Sequence, residues 1–306
     1  MKRVLVTGAS GFIGFQSLPY LIARGYEIHA IAHRNLPRNE IDVRWHQADL
    51  LDSGAVRALL AKVAPSHLLH FAWYAEPGKY QQSEKNSEWS KAGIELLQAF
   101  AASGGQRAVF AGTCFEYDLS YGYCSEASTP CVPNTPYGVG KFALAGFVAG
   151  SPPTGVSTAW GRVFHLFGPG EHPKRLVPSV ILSLMRGETA HCTHARQVRD
   201  FMHVDDVASA FVALLESGVE GIVNIGSGDR VAIRTLVLQI ADLLGRPDSI
   251  VFGSISPQVN DPSLLIPDIS RLRDEVEWTP RLRLRDGLAC TIDWWRMNRT
   301  RLRTEA

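Results

Sequence analysis

The stretch VLVTGASGFIG (residues 4–14) joins a short apolar run to three glycines at three-residue spacing. Gly8, Gly11 and Gly14 would lie between a buried strand and the helix that follows it. Glycine permits a tight turn and the close approach of a diphosphate, and the helix N-terminus offers free N–H groups and a favourable dipole. The alternative is a turn that only packs a helix on a strand. The position of the three glycines directly after the first strand favours a dinucleotide-binding site.

The chain continues with short apolar runs that alternate with amphipathic segments. We predict strands at 3–7, 27–32, 43–45, 67–71, 107–112 and 157–163, and helices at 12–24, 53–63, 84–103 and 136–149. Pro19 predicts a kink in the first helix or a shorter helix. The alternation is typical of a parallel sheet with helices on both faces.

The second half of the chain is less regular, with helices predicted at 176–186, 204–216, 233–244 and 284–299 between Gly/Pro-rich joints. We therefore predict an α/β protein. Residues 1–165 would form a Rossmann-type doubly wound parallel sheet, and residues 166–306 a smaller mixed α/β lobe that binds substrate and is interleaved with the first domain.

Composition narrows the class of protein. The 306 residues are 45% hydrophobic and 20% charged with a formal net charge of +1, which is typical of a globular protein and gives no general attraction to nucleic acid. Five cysteines without a C-x-x-C pair favour a reduced, intracellular protein, and no apolar run is long enough for a membrane span. We expect a cytoplasmic protein with neither a nucleic-acid nor a membrane partner. In HCTH (191–194), strand alternation separates His191 from Cys192, so no metal site is predicted.

The segment after the second predicted strand, HAIAHRN, lacks the acidic residue that holds the ribose hydroxyls of NAD. His33 and Arg34 stand there instead, and an arginine pairs with a 2′-phosphate that a carboxylate would repel. NADP is therefore favoured, with NAD as the alternative. Asp49, after the third strand, would accept from the adenine amino group or cap the helix that begins near Ser53.

TPYGVGKFAL places Tyr137 and Lys141 four residues apart at the start of an apolar helix, so both side chains lie on one face. A tyrosine is a poor acid–base group at neutral pH because its ordinary pKa is about 10. A neighbouring ammonium would stabilise the phenolate and lower the pKa of Tyr137. This pattern predicts an acid–base pair beside the cofactor.

With these motifs the chain resembles the extended short-chain dehydrogenase/reductases, in the group of nucleotide-sugar epimerases and dehydratases. The resemblance covers nearly the whole length. It rests on the glycine turn, Y-x-x-x-K, LHFAW (69–73), GRVFHLFGPGE (161–171), QVRDFMHVDDVASAF (197–211) and the final W-x-P…G-L…T-I-x-W pattern.

The resemblance implies a catalytic triad of Thr113, Tyr137 and Lys141, with the threonine at the end of the fifth strand bonding the reacting sugar oxygen. Family members that dehydrate nucleotide sugars have Asp-Glu directly after the threonine, whereas this chain has Cys114-Phe115. Dehydration is therefore disfavoured. The resemblance also implies cofactor contacts from Gly8, Gly11, Phe12, Ile13, Gly14, His33, Arg34, Asp49, Leu50, Phe71, Ala72, Trp73, Tyr137, Lys141 and Val163.

For the substrate, Arg199 resembles the family arginine that contacts the diphosphate, and Lys174 and Arg175 would add charge to the same pocket. His165 and His172 are proton-donor candidates or structural histidines. Cys114 would face the substrate as a buried filler or as an acid–base group.

The resemblance implies a nucleotide-diphosphate hexose as substrate. The favoured activity is an NADPH-dependent 4-reductase of a 4-keto-6-deoxyhexose, and the alternative is an NAD-dependent 4-epimerase. A non-catalytic cofactor-binding protein is disfavoured because the triad is retained.

Family members that pair do so through the helices predicted here at 84–103 and 136–149. The second of these spreads Phe142, Ala143, Ala145 and Phe147 around its axis, which would let a second copy approach closely. We therefore expect a homodimer. The alternative is that the C-terminal helix, with Trp294 and Trp295, covers this surface.

Overall fold

The computed structural model of the chain describes residues 2–33, 42–257 and 261–298. The strands in these ranges are β1 (Arg3–Thr7), β2 (Glu27–Ala32), β3 (Arg44–Gln47), β4 (His67–His70), β5 (Arg107–Thr113), β6 (Tyr123–Cys124), β7 (Ser157–Val163), β8 (His165–Phe167), β9 (Ala190–Cys192), β10 (Val198–Arg199), β11 (Phe201–His203), β12 (Gly221–Ile225), β13 (Val231–Ala232), β14 (Ile250–Phe252) and β15 (Leu264–Pro267). The α-helices are α1 (Phe12–Ala23), α2 (Ser53–Val63), α3 (Lys85–Ala102), α4 (Pro136–Gly150), α5 (Leu176–Met185), α6 (Val204–Glu216), α7 (Ile233–Leu243) and α8 (Leu284–Met297).

Within the described ranges, seven strands form one parallel sheet in the order β12-β7-β5-β4-β1-β2-β3. From β1 the chain winds outward through β2 and β3, then crosses back to β4 and winds the other way. The switch point therefore lies between β1 and β4, and ligands of such sheets bind there, outside the carboxyl ends of the strands. The predicted Rossmann-type α/β fold is confirmed.

Helices cover both faces of this sheet. One core includes Leu18 and Leu21 of α1 and Phe211 of α6, packed against apolar side chains of β1 and β7. On the other face, α2, α3 and α4 bury their apolar sides, with Leu97 and Leu144 fully enclosed. The strands are apolar on both sides because each side meets helices.

The second half of the chain supplies the edge strand β12 and a separate core. That core joins apolar residues of α5, α7 and α8, among them Ile181, Leu236 and Ile292. Small sheets (β13-β10-β15-β6, β11-β8 and β14-β9) lie in the same half, with β6 contributed by the first half. Because the halves exchange strands, the division at residue 165 stays a prediction.

The predicted elements agree closely with the structure, and every predicted bound lies within two residues of the observed one. The exception is Pro19, because α1 does not end there and continues to Ala23, so the shorter helix is wrong. Burial of Leu18 and Leu21 in the core around α6 stabilises the helix despite the backbone hydrogen bond that proline removes. No helix in the described ranges is long and apolar enough to span a bilayer.

Candidate active site

The glycine turn after β1 is as tight as its sequence predicts. Gly8 has a φ of +67°, and a Cβ there would stand 2.7 Å from the backbone nitrogen of Ala72, in the loop after β4. A Cβ on Gly14 would stand 2.2 Å from the Gly8 carbonyl oxygen. Only glycine therefore lets α1 begin directly against both β1 and the loop that leaves β4.

The start of α1 can accept an anion. Gly11 is its N-cap, and in the described structure no side chain caps its first turn. The N–H groups near Phe12 and Ile13 therefore face the carboxyl edge of the sheet with the positive end of the helix dipole. A backbone cradle that a Cβ would fill, followed by an uncapped helix N-terminus, fits the diphosphate of a dinucleotide.

The other predicted cofactor residues lie at the same edge, with Phe71, Ala72 and Trp73 after β4 and Val163 at the end of β7. His33 follows β2, and its Nδ1 lies 3.9 Å from Asp49 Oδ1. Arg34 lies outside the described residues.

Asp49 does not cap α2. Its carboxylate accepts from the Leu51 N–H at 2.9 Å, whereas the N-cap is Asp52, which accepts from Gly54 and Ala55. The capping alternative for Asp49 is therefore wrong, and its exposed carboxylate stands free of the helix next to Leu50.

The three predicted catalytic residues converge. Thr113 ends β5, and its hydroxyl is hydrogen-bonded to the side chain of Tyr137. Tyr137 lies in the first turn of α4, which begins there because Thr135 caps the helix through the Gly138 N–H. One turn on, the buried Lys141 donates from Nζ to the Ala111 carbonyl oxygen at 2.6 Å.

Burial dominates the acid–base properties of this pair. It lowers the pKa of Lys141 to about 7 and raises the pKa of Tyr137 well above its ordinary value, against a smaller opposing effect of the Thr113 hydrogen bond. The sequence predicts that the ammonium lowers the pKa of Tyr137. In the structure the pKa is instead raised, so this prediction is wrong. Desolvation disfavours the charged form of both groups.

Aromatic rings enclose the triad. The ring centre of Tyr137 lies 4.8 Å from that of Tyr80, 6.3 Å from Trp73 and 6.4 Å from Phe115. The Trp73 indole also lies 4.0 Å from Lys141 Nζ, a cation–π geometry. Tyr80 was not predicted, because the irregular segment before α3 carries no periodicity or motif that would place it here.

Two groups beside the triad are poor acid–base groups. Cys114 is buried, and burial raises the pKa of its thiol far above the ordinary value, which supports the filler interpretation. Burial, together with Arg199 and Arg175, lowers the pKa of His165 to about 3, so this histidine is neutral at physiological pH. His172 is exposed.

The predicted diphosphate residues differ in their surroundings. Arg199 is buried and held by protein groups, since it donates to Asp261 Oδ1 at 2.5 Å and to the Pro262 carbonyl oxygen at 2.6 Å. Arg175 is half-buried with its guanidinium 5.2 Å from the ring centre of Tyr80, close to Tyr137. Glu171, which was not predicted, is buried near Arg175, and burial raises its pKa to about 8. Lys174 is exposed.

The HCTH segment alternates as predicted. Cys192 on β9 is buried in the second core, and His191 is exposed, with Nδ1 3.1 Å from the Ser254 hydroxyl.

Comparison with known proteins places this site in a family. Residues 4–226 match the model of the NAD dependent epimerase/dehydratase family. The chain is 28% identical to GDP-6-deoxy-D-mannose reductase of Pseudomonas aeruginosa over 96% of this chain and 97% of that protein. It is 26% identical to UDP-glucose 4-epimerase of Corynebacterium glutamicum over 91% of each. The structure of MoeE5 in complex with UDP-glucuronic acid and NAD is 30% identical, with a TM-score of 0.82 and coverage of 97% of this chain and 99% of that one.

The family match and these relatives place the chain in the class of NAD-dependent oxidoreductases and epimerases. The chain belongs to the NAD dependent epimerase/dehydratase family, whose members among these relatives act on nucleotide sugars.

Proposed function

We propose that the protein reduces the C4 carbonyl of a nucleotide-diphosphate-linked 4-keto-6-deoxyhexose with NADPH. The observation that carries the proposal is the chemistry beside Thr113. A buried thiol and a phenyl ring follow it, and the next carboxylate, Glu116, is fully buried and bonded to Arg162 and Trp160. A dehydratase needs a free acid and base there, whereas reduction of a carbonyl needs only the triad and a hydride donor.

A nicotinamide dinucleotide held by the glycine turn after β1 and by Lys141 would supply a hydride for the sugar C4. Tyr137 donates its phenolic proton to O4, so the carbonyl becomes an alcohol, and Thr113 donates a hydrogen bond to the same oxygen. The Lys141 ammonium faces the phenolate that Tyr137 leaves. The rings of Trp73, Tyr80 and Phe115 exclude water from the reacting carbon.

The reductase is favoured over the 4-epimerase by the absence of an acid after β2 and by the Pseudomonas aeruginosa reductase among the relatives. The epimerase is supported by the Corynebacterium glutamicum relative and by the NAD in the MoeE5 structure. The two differ in stoichiometry. A reductase oxidises one NADPH for each 4-keto sugar consumed, whereas an epimerase interconverts C4 epimers of intact nucleotide hexoses without net change in its NAD. Mass analysis of the cofactor that co-purifies with the protein, followed by both assays, separates them.

The preference for NADPH over NADH is tested by substituting Arg34. Arg34→Asp is expected to weaken NADPH binding about 10-fold to 100-fold and to spare NADH, because a charge-assisted phosphate contact is worth about 1.5–3 kcal/mol and the new carboxylate repels the 2′-phosphate. Titration of the protein with each nucleotide measures both affinities. Arg57→Asp, on the exposed side of α2, makes the same change in net charge and is the control. Equal effects of the two variants on NADPH would contradict the assignment.

We also propose a homodimer formed through α3 and α4. Val139 and Phe142 on α4 are 52% and 40% exposed, so the outer face of this helix is apolar. Trp294 and Trp295 pack in the second core with α5 and α7, and the C-terminal helix therefore does not cover α4 as the alternative required. A four-helix contact about a two-fold axis would bury more than ~1,000 Å².

Phe142→Glu is expected to convert the dimer to a monomer at micromolar concentration, because the variant places a charge in an apolar contact. Light scattering gives the mass. Phe142 is a better probe than Phe147, which packs partly on the core beneath α4. Leu238→Glu on α7, where the leucine is 42% exposed, is the matched control. A monomeric wild-type protein would overturn the proposal.

A further inference from the structure

A buried carboxylate lies directly behind the catalytic threonine. Glu116 is 0% exposed, and its Oε1 accepts from the Thr113 backbone N–H at 2.8 Å. The Thr113 hydroxyl in turn accepts from the Phe115 N–H at 3.4 Å, so the two side chains form a reciprocal capping box around the short helical turn Cys114–Glu116. The backbone of Thr113 is thereby tied to the carboxylate three residues later.

The carboxylate is itself held by two donors from β7. Arg162 Nε donates to Oε2 at 2.7 Å, and Trp160 Nε1 lies 2.9 Å from Oε1. The Arg162 side chain is 4% exposed and also contacts Cys131 Sγ at 3.1 Å. A buried ion pair costs desolvation and is kept only where each member has further partners. Here every oxygen of Glu116 has at least one donor.

Strand β5 leaves space for this network because it has a glycine beside Thr113. Gly112 precedes Thr113 on β5, and a Cβ there would stand 2.0 Å from Trp160 Nε1 and 2.6 Å from Glu116 Oε1. Any side chain at this position would displace both the indole and the carboxylate. The glycine therefore places the network immediately beside the catalytic end of β5.

Lys141 lies close to this network, because its Nζ is 5.7 Å from the ring centre of Trp160, whose indole nitrogen is bonded to Glu116. Burial lowers the pKa of this lysine to about 7, and the negative charge of Glu116 opposes that effect. The other titratable groups near Lys141 are His70, which burial keeps neutral with a pKa of about 3, and Tyr137, whose raised pKa keeps it neutral. Among the described groups that act on Lys141, Glu116 is thus the anionic one.

We propose that Glu116 is a positioning residue of the active site, anchored by Arg162 and Trp160, that fixes the Thr113 hydroxyl through its backbone and places a negative charge near Lys141. The proposal rests on the proposed roles of Thr113, Tyr137 and Lys141. Glu116 supports the triad and does not itself transfer protons to the substrate.

Two substitutions separate the effect of the Glu116 charge from the effect of its side-chain length. Glu116→Gln keeps an acceptor of the same length and removes the charge, whereas Glu116→Asp keeps the charge and is one methylene too short to hold both Arg162 and the Thr113 N–H. In Glu116→Gln we expect the pKa of Lys141 to fall by about one pH unit or more, and in Glu116→Asp to stay within about half a unit of wild type. The ¹³Cε resonance of labelled lysine, assigned with Lys141→Arg, reports this titration.

The effect of side-chain length is measured by hydrogen exchange of the Thr113 amide, which donates to Glu116. We expect exchange at least ~10-fold faster in Glu116→Asp, with the Phe110 amide on the same strand unchanged. Glu116→Gln leaves the buried Arg162 without an opposite charge. The double variant Glu116→Gln/Arg162→Gln is therefore measured as well, and we expect it to show the same fall in the Lys141 pKa.

Neither readout needs substrate or cofactor. Failure of the proposed function would appear as a wild-type enzyme that reduces no 4-keto sugar, while the Lys141 titration would still report on Glu116. An unchanged Lys141 pKa in the folded charge-free variants, or an unchanged Thr113 amide in Glu116→Asp, would overturn the inference. In an active enzyme, the alkaline limb of kcat/KM should move to lower pH in Glu116→Gln and stay in place in Glu116→Asp, because ammonium is lost at lower pH when its pKa falls.

Discussion

Tyr137→Phe is expected to lower kcat at least ~100-fold, the scale of general acid–base catalysis, while the affinity for the nicotinamide cofactor stays close to wild type. The phenyl ring preserves the packing against Tyr80 and Trp73, so the variant removes only the proton donor and the hydrogen bond to Thr113. Steady-state turnover of a confirmed nucleotide sugar and titration with cofactor measure the two effects separately.

The control is Tyr121→Phe, which deletes the hydroxyl of a tyrosine that is 56% exposed. It should match wild type in both measurements. Turnover of Tyr137→Phe within a few-fold of wild type would remove Tyr137 from the role of proton donor, and a parallel loss of cofactor affinity would show that the variant disturbs the site as a whole.

Gly8→Ala should damage both stability and cofactor binding. The φ of +67° costs a non-glycine residue about 1–3 kcal/mol, and the new Cβ would press on backbone atoms of Phe71 and Ala72, which have no flexible end to move aside. Overpacking of this kind adds about 1–3 kcal/mol. We expect a comparable fall in the free energy of unfolding by urea, and at least a ~10-fold loss in affinity for NADH and NADPH alike, since the shifted turn misplaces the N-terminus of α1.

Gly253→Ala is the matched control for this variant. The glycine follows β14 with a φ of +83°, and a Cβ there would meet nothing within 4 Å. Alanine should therefore lower stability by about 1–3 kcal/mol through its backbone conformation alone and leave cofactor binding intact. If Gly8→Ala and Gly253→Ala affected cofactor binding equally, the turn would not be the cradle that its geometry indicates.

The fold was predictable from the sequence because periodicity and turn chemistry are local. The six predicted strands and the glycine turn depend on neighbours a few residues away, and the structure has them within one or two residues. The shorter helix at Pro19 was wrong because its neighbours are buried by α6, nearly two hundred residues later in the chain. Local propensity carries no information about such packing.

The site was only partly predictable for the same reason. Thr113, Tyr137 and Lys141 lie in recognisable motifs, and the structure brings them together. Glu116 had a signal that was overlooked, since T-x-x-E at 113–116 is the signature of a capping box. Arg162 stands in the GRVFHLFGPGE motif, but nothing in the sequence pairs it or Trp160 with Glu116, because the pairing of β5 with β7 creates that contact.

Strand β12 has a consequence for how the protein is made. It closes the edge of β7 with residues that follow it by about sixty positions, and Arg107 of β5 donates to the Leu214 and Val219 carbonyl oxygens in the same later stretch. A ribosome adding about 5–20 residues per second therefore needs roughly 3–12 s after β7 before the partner strand exists. During that interval the nascent chain carries an apolar, unpaired strand edge, the kind of surface that pairs with other chains. Truncation near residue 165 would make this transient exposure permanent, and we therefore expect residues 1–165 alone to aggregate.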